Sequence, residues 1–284
     1  PMIYVVYVCQ EETHRIIGIS VLDDNLSLKD TFYIRDVPLF ISQPAAIIDR
    51  QNRLHIFFQG MAIVDMDIFH GIFYLENRTW HLMNITANTV NDYNPRIDLS
   101  EDRDEIFCVY EQTPNTETTS IVLYSYNITS STHRTQILAS DSGLLAPVVR
   151  VHPGYRNFPW NIHVLWKRII PATKDKPESY IIEGVTSYDG VSWHYSKRSL
   201  PDDFHDFTIP EFDFDMDWRD NEHLLVLFSS GYNYYMTWVF TKDLPDEPAP
   251  DVNESQNTSV TPTPEPSVTP SPSPSVSFPV YEPQ

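Results

Sequence analysis

Five charged side chains fall at matching offsets after prolines, where a shared centre could form. In Pro95-Arg96-Ile97-Asp98, Pro147-Val148-Val149-Arg150 and Pro210-Glu211-Phe212-Asp213, the first and third residues after the proline give Arg96, Asp98, Arg150, Glu211 and Asp213. Guanidinium groups grip anionic groups bidentately, and a neighbouring carboxyl can exchange a proton with a bound substrate. The same charges could instead pair with one another around a water-filled channel. A second constellation is Glu211-Phe212-Asp213-Phe214-Asp215-Met216-Asp217-Trp218, where strand alternation puts Asp213, Asp215 and Asp217 on one face. Like charges so placed repel unless solvent or a cation intervenes, and hard oxygen ligands make Ca2+ the natural ion, although the glycine turn and distal Glu of a helix-loop-helix calcium loop are missing. A third set is aromatic: Tyr155, Trp160, Tyr232, Tyr234 and Tyr235 stand beside polar residues, where flat rings could stack on sugar faces or fill gaps between sheets.

The ten histidines are scattered, without the spacing of a zinc site, and His55 and His163 recur at one place in two copies of a repeat, which favours a structural role. There is no glycine-rich phosphate loop and no nucleophile elbow, and eight glycines are few for a nucleotide-binding fold. No cofactor is implied beyond the candidate Ca2+.

An internal repeat positions these residues. Ile3-Tyr4-Val5-Val6-Tyr7, Leu54-His55-Ile56-Phe57-Phe58, Ile106-Phe107-Cys108-Val109-Tyr110, Ile162-His163-Val164-Leu165-Trp166 and Leu224-Leu225-Val226-Leu227-Phe228 each end in an aromatic residue, and their starts lie 51, 52, 56 and 62 residues apart. That is close to the period of propeller blades, stretched by loops. About seven residues before each of the last four copies comes the proline-opened run, with proline expected at the first residue of a strand, where no ladder bond is lost. Further β-rich runs follow each aromatic end, giving four strands per unit. The architecture expected is an all-β propeller of about five four-stranded blades, near 1–40, 41–92, 93–144, 145–207 and 208–242. The first unit lacks its innermost strand and the last its outermost, so the ring either closes with five blades or is part of a six- or seven-bladed one. The start at Pro1, inside an apolar run, reads as a fragment or a processed product. Cys9 and Cys108 sit at different offsets of non-neighbouring units and are expected as buried free thiols.

Thr186-Ser187-Tyr188-Asp189-Gly190-Val191-Ser192-Trp193 resembles the Asp-box, or BNR repeat, of sialidase-like propellers, in a shortened Ser-x-Asp-Gly-x-x-Trp form. Asp189 and Gly190 make the turn, the carboxylate caps backbone amides, and Trp193 packs beneath, with Ser187 completing the box. In that family the box is structural and remote from catalysis. The resemblance implies an axial arginine cluster gripping a carboxylate, an acid/base Asp, and a Tyr nucleophile activated by Glu; here it draws Arg96, Asp98, Arg150 and Glu211 into the candidate set. The Arg-Ile-Pro type of motif near the start of such enzymes is absent, and a third arginine has no clear candidate.

The formal charge of −20 excludes a phosphate backbone or an anionic lipid surface as a partner. No apolar run is long enough for a membrane helix, and no basic-then-apolar leader opens the chain. Residues 243–284 hold seven acids, no bases and 11 of the 23 prolines in a Thr/Ser/Pro alternation, so they are expected as an extended, disordered stalk or linker. With Asn-x-Ser/Thr sequons at Asn77, Asn84, Asn127, Asn253 and Asn257, this stalk leans towards an extracellular or cell-surface setting. The function expected is a propeller that binds a glycan or protein partner without catalysis; the alternative is a sialidase-like glycoside hydrolase with an axial Arg/Asp/Tyr site.

Overall fold

The computed structural model describes residues 2–100, 103–152, 162–174 and 178–196, together with the backbone of three strands at 212–218, 223–230 and 233–240. The chain forms five consecutive antiparallel sheets. The first contains β1 (Ile3–Glu11), β2 (His14–Leu22) and β3 (Leu28–Ile34). The second runs β4 (Leu39–Ile48), β5 (Arg53–Met61), β6 (Met66–Tyr74) and β7 (Thr79–Asn84), and the third β8 (Asn91–Ser100), β9 (Glu105–Thr113), β10 (Thr119–Asn127) and β11 (His133–Asp141). The fourth is β12 (Leu144–Val151), β13 (Ile162–Ile170), β14 (Ser179–Ser187) and β15 (Trp193–Ser196), and the fifth β16 (Phe212–Trp218), β17 (His223–Ser230) and β18 (Asn233–Phe240). Each sheet is a meander in which sequence neighbours pair, so each is a propeller blade, and in the second to fifth the first strand is innermost. The first blade begins with the strand equivalent to β5 and β9. Strand β8 lies beside both β4 and β12, which lines the inner strands up around the axis.

Blade packing explains the aromatic at the end of each repeat. The second and third strands of a blade are covered on both faces, so β6 and β9 read as nearly unbroken buried runs, while the outer strand β7 alternates between exposed and half-buried positions. Alternate residues of one strand therefore serve opposite seams. Phe58 joins Ile17, Ile19 and Ile41 between the first and second blades, Tyr110 joins Phe57 and Ile72 between the second and third, and Trp166 joins Phe107 and Val109 between the third and fourth. These three repeat aromatics each fill the seam with the preceding blade. All three are buried.

The inner strands depart from expectation in one respect. Pro44, Pro95 and Pro147 do not open their strands, which begin several residues earlier, but follow a bulge inside β4, β8 and β12. Register shifts fall between Ser42 and Ala45, Tyr93 and Arg96, and Leu145 and Val148. The residue before each proline, Gln43, Asn94 or Ala146, has a positive φ of 50, 56 or 50°. A bulge leaves a residue out of the ladder, so proline costs no hydrogen bond there. Cys108 is buried and Cys9 only half-buried; both are free thiols.

Candidate functional site

The three bulges meet the ends of the second strands, and this junction organises one rim of the ring. The residue after the repeat aromatic is Gln59 on β5, Glu111 on β9 and Lys167 on β13. Gln59 donates from Nε2 to Ser42 Oγ (2.9 Å), and its Oε1 accepts the Asn94 amide of the next blade (2.9 Å). Glu111 repeats the connection one blade on: its Oε1 accepts the Ala146 amide (2.7 Å) and the Asn94 side-chain amide (2.5 Å). Each polar side chain thus ties its blade to the strained bulge of its neighbour. The side-chain oxygen satisfies an otherwise stranded N–H at each of these two bulges, and non-glycine left-handed backbone of this kind collects at functional sites.

Glu111 differs from Gln59 in being able to hold a proton. It is 5 % exposed. Burial raises its carboxyl above the usual range, against the bonds from Asn94 and Ala146 and the fields of Lys167 and Arg96, which lower it. A carboxyl so placed, with two cations nearby, is equipped for proton transfer.

Of the residues singled out in the sequence, Arg96 lies closest to this group in register: it is exposed, two residues after Asn94 on β8, opposite Val109. Asp98 accepts the Leu99 amide at Oδ1 (2.9 Å) and the Val151 amide at Oδ2 (2.7 Å), which stitches β8 to β12. Arg150 is adjacent to Val151 and donates from Nη1 to the Val149 carbonyl (2.8 Å). Asp213, Asp215 and Asp217 occupy alternate positions of β16, opposite Ser229, Leu227 and Leu225, and Tyr234 lies on β18 opposite Ser229. Their side chains, which carry the Ca2+ and stacking expectations, are outside the described part of the molecule, as are Tyr155, Trp160, Glu211 and Tyr232 altogether.

The hairpin between β14 and β15 is built as its residues suggest. Asp189 Oδ1 accepts the amides of Val191 (2.8 Å) and Ser192 (2.7 Å), and Ser187 Oγ accepts the Gly190 amide (2.8 Å). Burial alone would raise the Asp189 carboxyl, but the bonds from Ser192 and Val191 outweigh it and hold it at about 2. Gly190 has φ +72°, and the buried Trp193 donates from Nε1 to Gln136 Oε1 (3.1 Å) on the third blade. A Tyr–Glu pair exists nearby, Tyr195 with Glu183, but on the outer strands β14 and β15; burial and the carboxylate raise the phenol, so it is no activated nucleophile.

Two buried networks stand behind the rim. Asp92 accepts Asn88 Nδ2 (3.0 Å) and Gln112 Nε2 (3.0 Å), and burial, opposed by those bonds, lifts it to about 6. Asp67, also raised by burial, accepts Asn84 Nδ2 (2.6 Å). At the opposite end of the blade, His55 joins Asp49 Oδ2 (2.9 Å) to His70 Nε2 (2.9 Å) in a buried chain, which gives the repeated histidine position a structural occupation.

No protein-family model and no curated protein matches the chain. Solved structures do. An ulvan lyase of a polysaccharide lyase family aligns with a TM-score of 0.56 at 12 % identity, over 84 % of this chain and 63 % of its own. The fold is a β-propeller. An apocarotenoid oxygenase of Synechocystis follows at 0.48 (11 % identity, 88 % and 57 % covered), as does a β-fructofuranosidase of Bombyx mori at 0.48 (11 %, 83 % and 56 %). The chain spans somewhat under two thirds of the length of these proteins. The expectation of a module that binds without chemistry is corrected here: the structure of similar fold above is an enzyme, an ulvan lyase, and not a sialidase. Among the described residues, no helix is long and apolar enough to cross a membrane.

Proposed function

We propose that this protein is a glycan-processing enzyme whose proton-transfer group is Glu111, at the rim between the third and fourth blades. The observation that carries this reading is the contrast between Gln59 and Glu111: the same inter-blade connection needs only an amide, yet one blade supplies a buried carboxyl with Arg96 and Lys167 in its field. A carboxyl with a raised pKa protonates a departing glycosidic oxygen in hydrolysis, or as carboxylate takes a proton from carbon in elimination. Arg96, exposed on the inner strand, is placed to orient an anionic or hydroxyl-rich ring. The finer reading, a sialidase-like hydrolase, draws on Arg96, Asp98 and the Asp189 hairpin; it asks for an axial Tyr–Glu pair, and Tyr195–Glu183 lies on outer strands. An extracellular site of action fits the Ser/Thr/Pro-rich residues 243–284 and a polymeric substrate.

The test is incubation with ulvan, pectin, levan and a fluorogenic sialoside, reading reducing ends and the ultraviolet absorbance of unsaturated products. Cleavage by the wild type and its loss in Glu111→Gln, with the Tm unchanged, supports the reading. Cleavage that survives Glu111→Gln, or no cleavage of any substrate, overturns it.

A further inference from the structure

Three of the five Asn-x-Ser/Thr sequons lie in the described structure, at Asn77, Asn84 and Asn127, and the fold treats them differently. A folded protein carries a glycan on asparagine only where the side-chain nitrogen, Nδ2, has no internal duty and the surroundings leave room for a bulky, hydrated group. Asn84 is exposed but anchored. Its Nδ2 donates to Asp67 Oδ2 (2.6 Å) and its Oδ1 accepts the Thr86 amide (3.1 Å). The Thr86 hydroxyl is turned inward, accepting the Ile68 amide (2.8 Å) and donating to Asp67 Oδ1 (3.3 Å), and both Asp67 and Thr86 are buried. Asn127 is half-buried: its Nδ2 donates to the Arg103 carbonyl (3.4 Å), the Thr129 hydroxyl donates to Asp104 Oδ2 (3.2 Å), and Ile128 between them is buried in the seam of the second and third blades.

The third sequon is built the other way. Asn77 lies in the turn between β6 and the outermost strand β7, and Asn77, Arg78 and Thr79 are all exposed. The Arg78 amide closes the turn on the Tyr74 carbonyl (2.8 Å), and Arg78 takes a φ of 59°. That curl lets Asn77 Oδ1 accept both the amide (3.1 Å) and the hydroxyl (2.7 Å) of Thr79. Arg78 in turn holds the hairpin to the first blade, through Asp30 Oδ2 (3.1 Å) and the ring of Phe32 (4.8 Å). The side-chain bonding of Asn77 thus falls on its oxygen, and among the described residues its Nδ2 has no protein partner.

We propose that Asn77 is an N-glycosylation site and that Asn84 and Asn127 stay bare in the folded protein. The inference rests on the extracellular setting and not on Glu111. Asn77 Nδ2 attacks C1 of an oligosaccharide carried on a lipid pyrophosphate. The N–C bond forms as the C1–O bond to pyrophosphate breaks, the lipid pyrophosphate departs, and one of the two amide protons passes to a base of the transferase. The attachment point is compatible with catalysis at the rim: Tyr74 pairs with Arg53 and Thr79, at the end of the second blade opposite Gln59, so the sugar covers an outer edge and leaves the Glu111 rim open.

The test uses the full chain secreted from a eukaryotic cell line. Each sequon peptide is read by mass spectrometry before and after treatment with peptide-N-glycosidase, which converts a carrier asparagine to aspartate. A glycan is expected at Asn77 and none at Asn84 or Asn127. Thr79→Ala should lose it, because the sequon hydroxyl is gone, and Thr79→Ser should keep it. Asn77→Gln should be secreted bare at this position with an unchanged Tm. Asn253 and Asn257, outside the described residues, serve as internal controls. Glycans there with a bare Asn77 mean that the chain met the transferase, which overturns the site and leaves the extracellular setting standing. A secreted chain with no glycan at any sequon, or a folded one with a glycan at Asn84 or Asn127, also overturns the proposal. The setting is read separately, by protease treatment of intact cells that express the natural gene: protection there overturns the setting, and the modification with it, whatever the secreted sample carries.

Discussion

Glu111 and Gln59 occupy the same place in successive blades and accept the same kind of backbone amide, so one residue serves as a natural control for the other. Replacing Glu111 by Gln retains an acceptor for Ala146 and removes a buried ionisable group. Stability should therefore hold or rise, whereas proton transfer should fall by about 10²–10⁴-fold. Glu111→Ala strands the Ala146 amide and should cost about 1–3 kcal/mol, read as a shift of the denaturant midpoint. The pair of variants separates a connection from a catalyst. Little of this was legible in the sequence. The residues after each inner-strand proline drew attention to Arg96, Asp98 and Arg150, yet Asp98 is occupied by the Leu99 and Val151 amides. The informative column was the one after the repeat aromatic, Gln59, Glu111 and Lys167, a polar position following a run of apolar ones. It could not be aimed at the rim, because a one-residue bulge at Asn94 changes which side chains face the axis, and no local pattern announces that bulge.

At the scale of elements, the sequence was far more transparent. A period set by an aromatic residue identifies the second strand of each blade because burial between two blades demands apolar side chains on both faces, and the large terminal ring has one place to go. Trp166, wholly buried between the third and fourth blades, should then be among the costliest side chains to remove: Trp166→Ala is expected to destabilise by about 3–5 kcal/mol. Pro44, Pro95 and Pro147 were read correctly as residues of the inner strand and wrongly as its start, while Pro210 lies outside the described residues. Its tolerance comes from the preceding bulge, where Gln43, Asn94 and Ala146 bear the left-handed backbone. Ala146 makes this testable, for its backbone carries the strain and its N–H the bond to Glu111. Ala146→Gly should keep the bond and raise stability by up to about 1 kcal/mol in urea unfolding, since φ of 50° suits glycine. A loss of stability would mean that the bulge is not strained.

Across the whole molecule, acidity meets burial in two opposed ways. The charge of −20 includes a net −7 on residues 243–284, so −13 belongs to residues 1–242, and some of those carboxyls are folded inside. Asp92, Asp67 and Glu111 are raised by burial, so the folded state binds more protons than the unfolded one and stability falls as pH climbs through each shifted range. His55 and His70 are lowered by burial, so their contribution runs the other way: stability is lost as pH drops below the ordinary histidine value. Over mildly acidic pH the two contributions oppose one another in the wild type. A single substitution uncovers the slope. Asp92 rises from 3.8 to about 6, which bounds its unfavourable share at neutral pH at roughly 3 kcal/mol. Asp92→Asn removes that charge, while one of the two donors, Asn88 Nδ2 or Gln112 Nε2, must turn to a new acceptor, which takes back about 1 kcal/mol. The variant should be about 1–2 kcal/mol more stable than the wild type near pH 7.5, and should lose this advantage as pH is lowered to about 4, where the wild-type carboxyl is itself protonated. Urea midpoints at the two pH values measure the difference. An advantage independent of pH would mean that Asp92 is not held protonated by the fold, and that the inward acidity of this propeller is compensated by a group other than a proton.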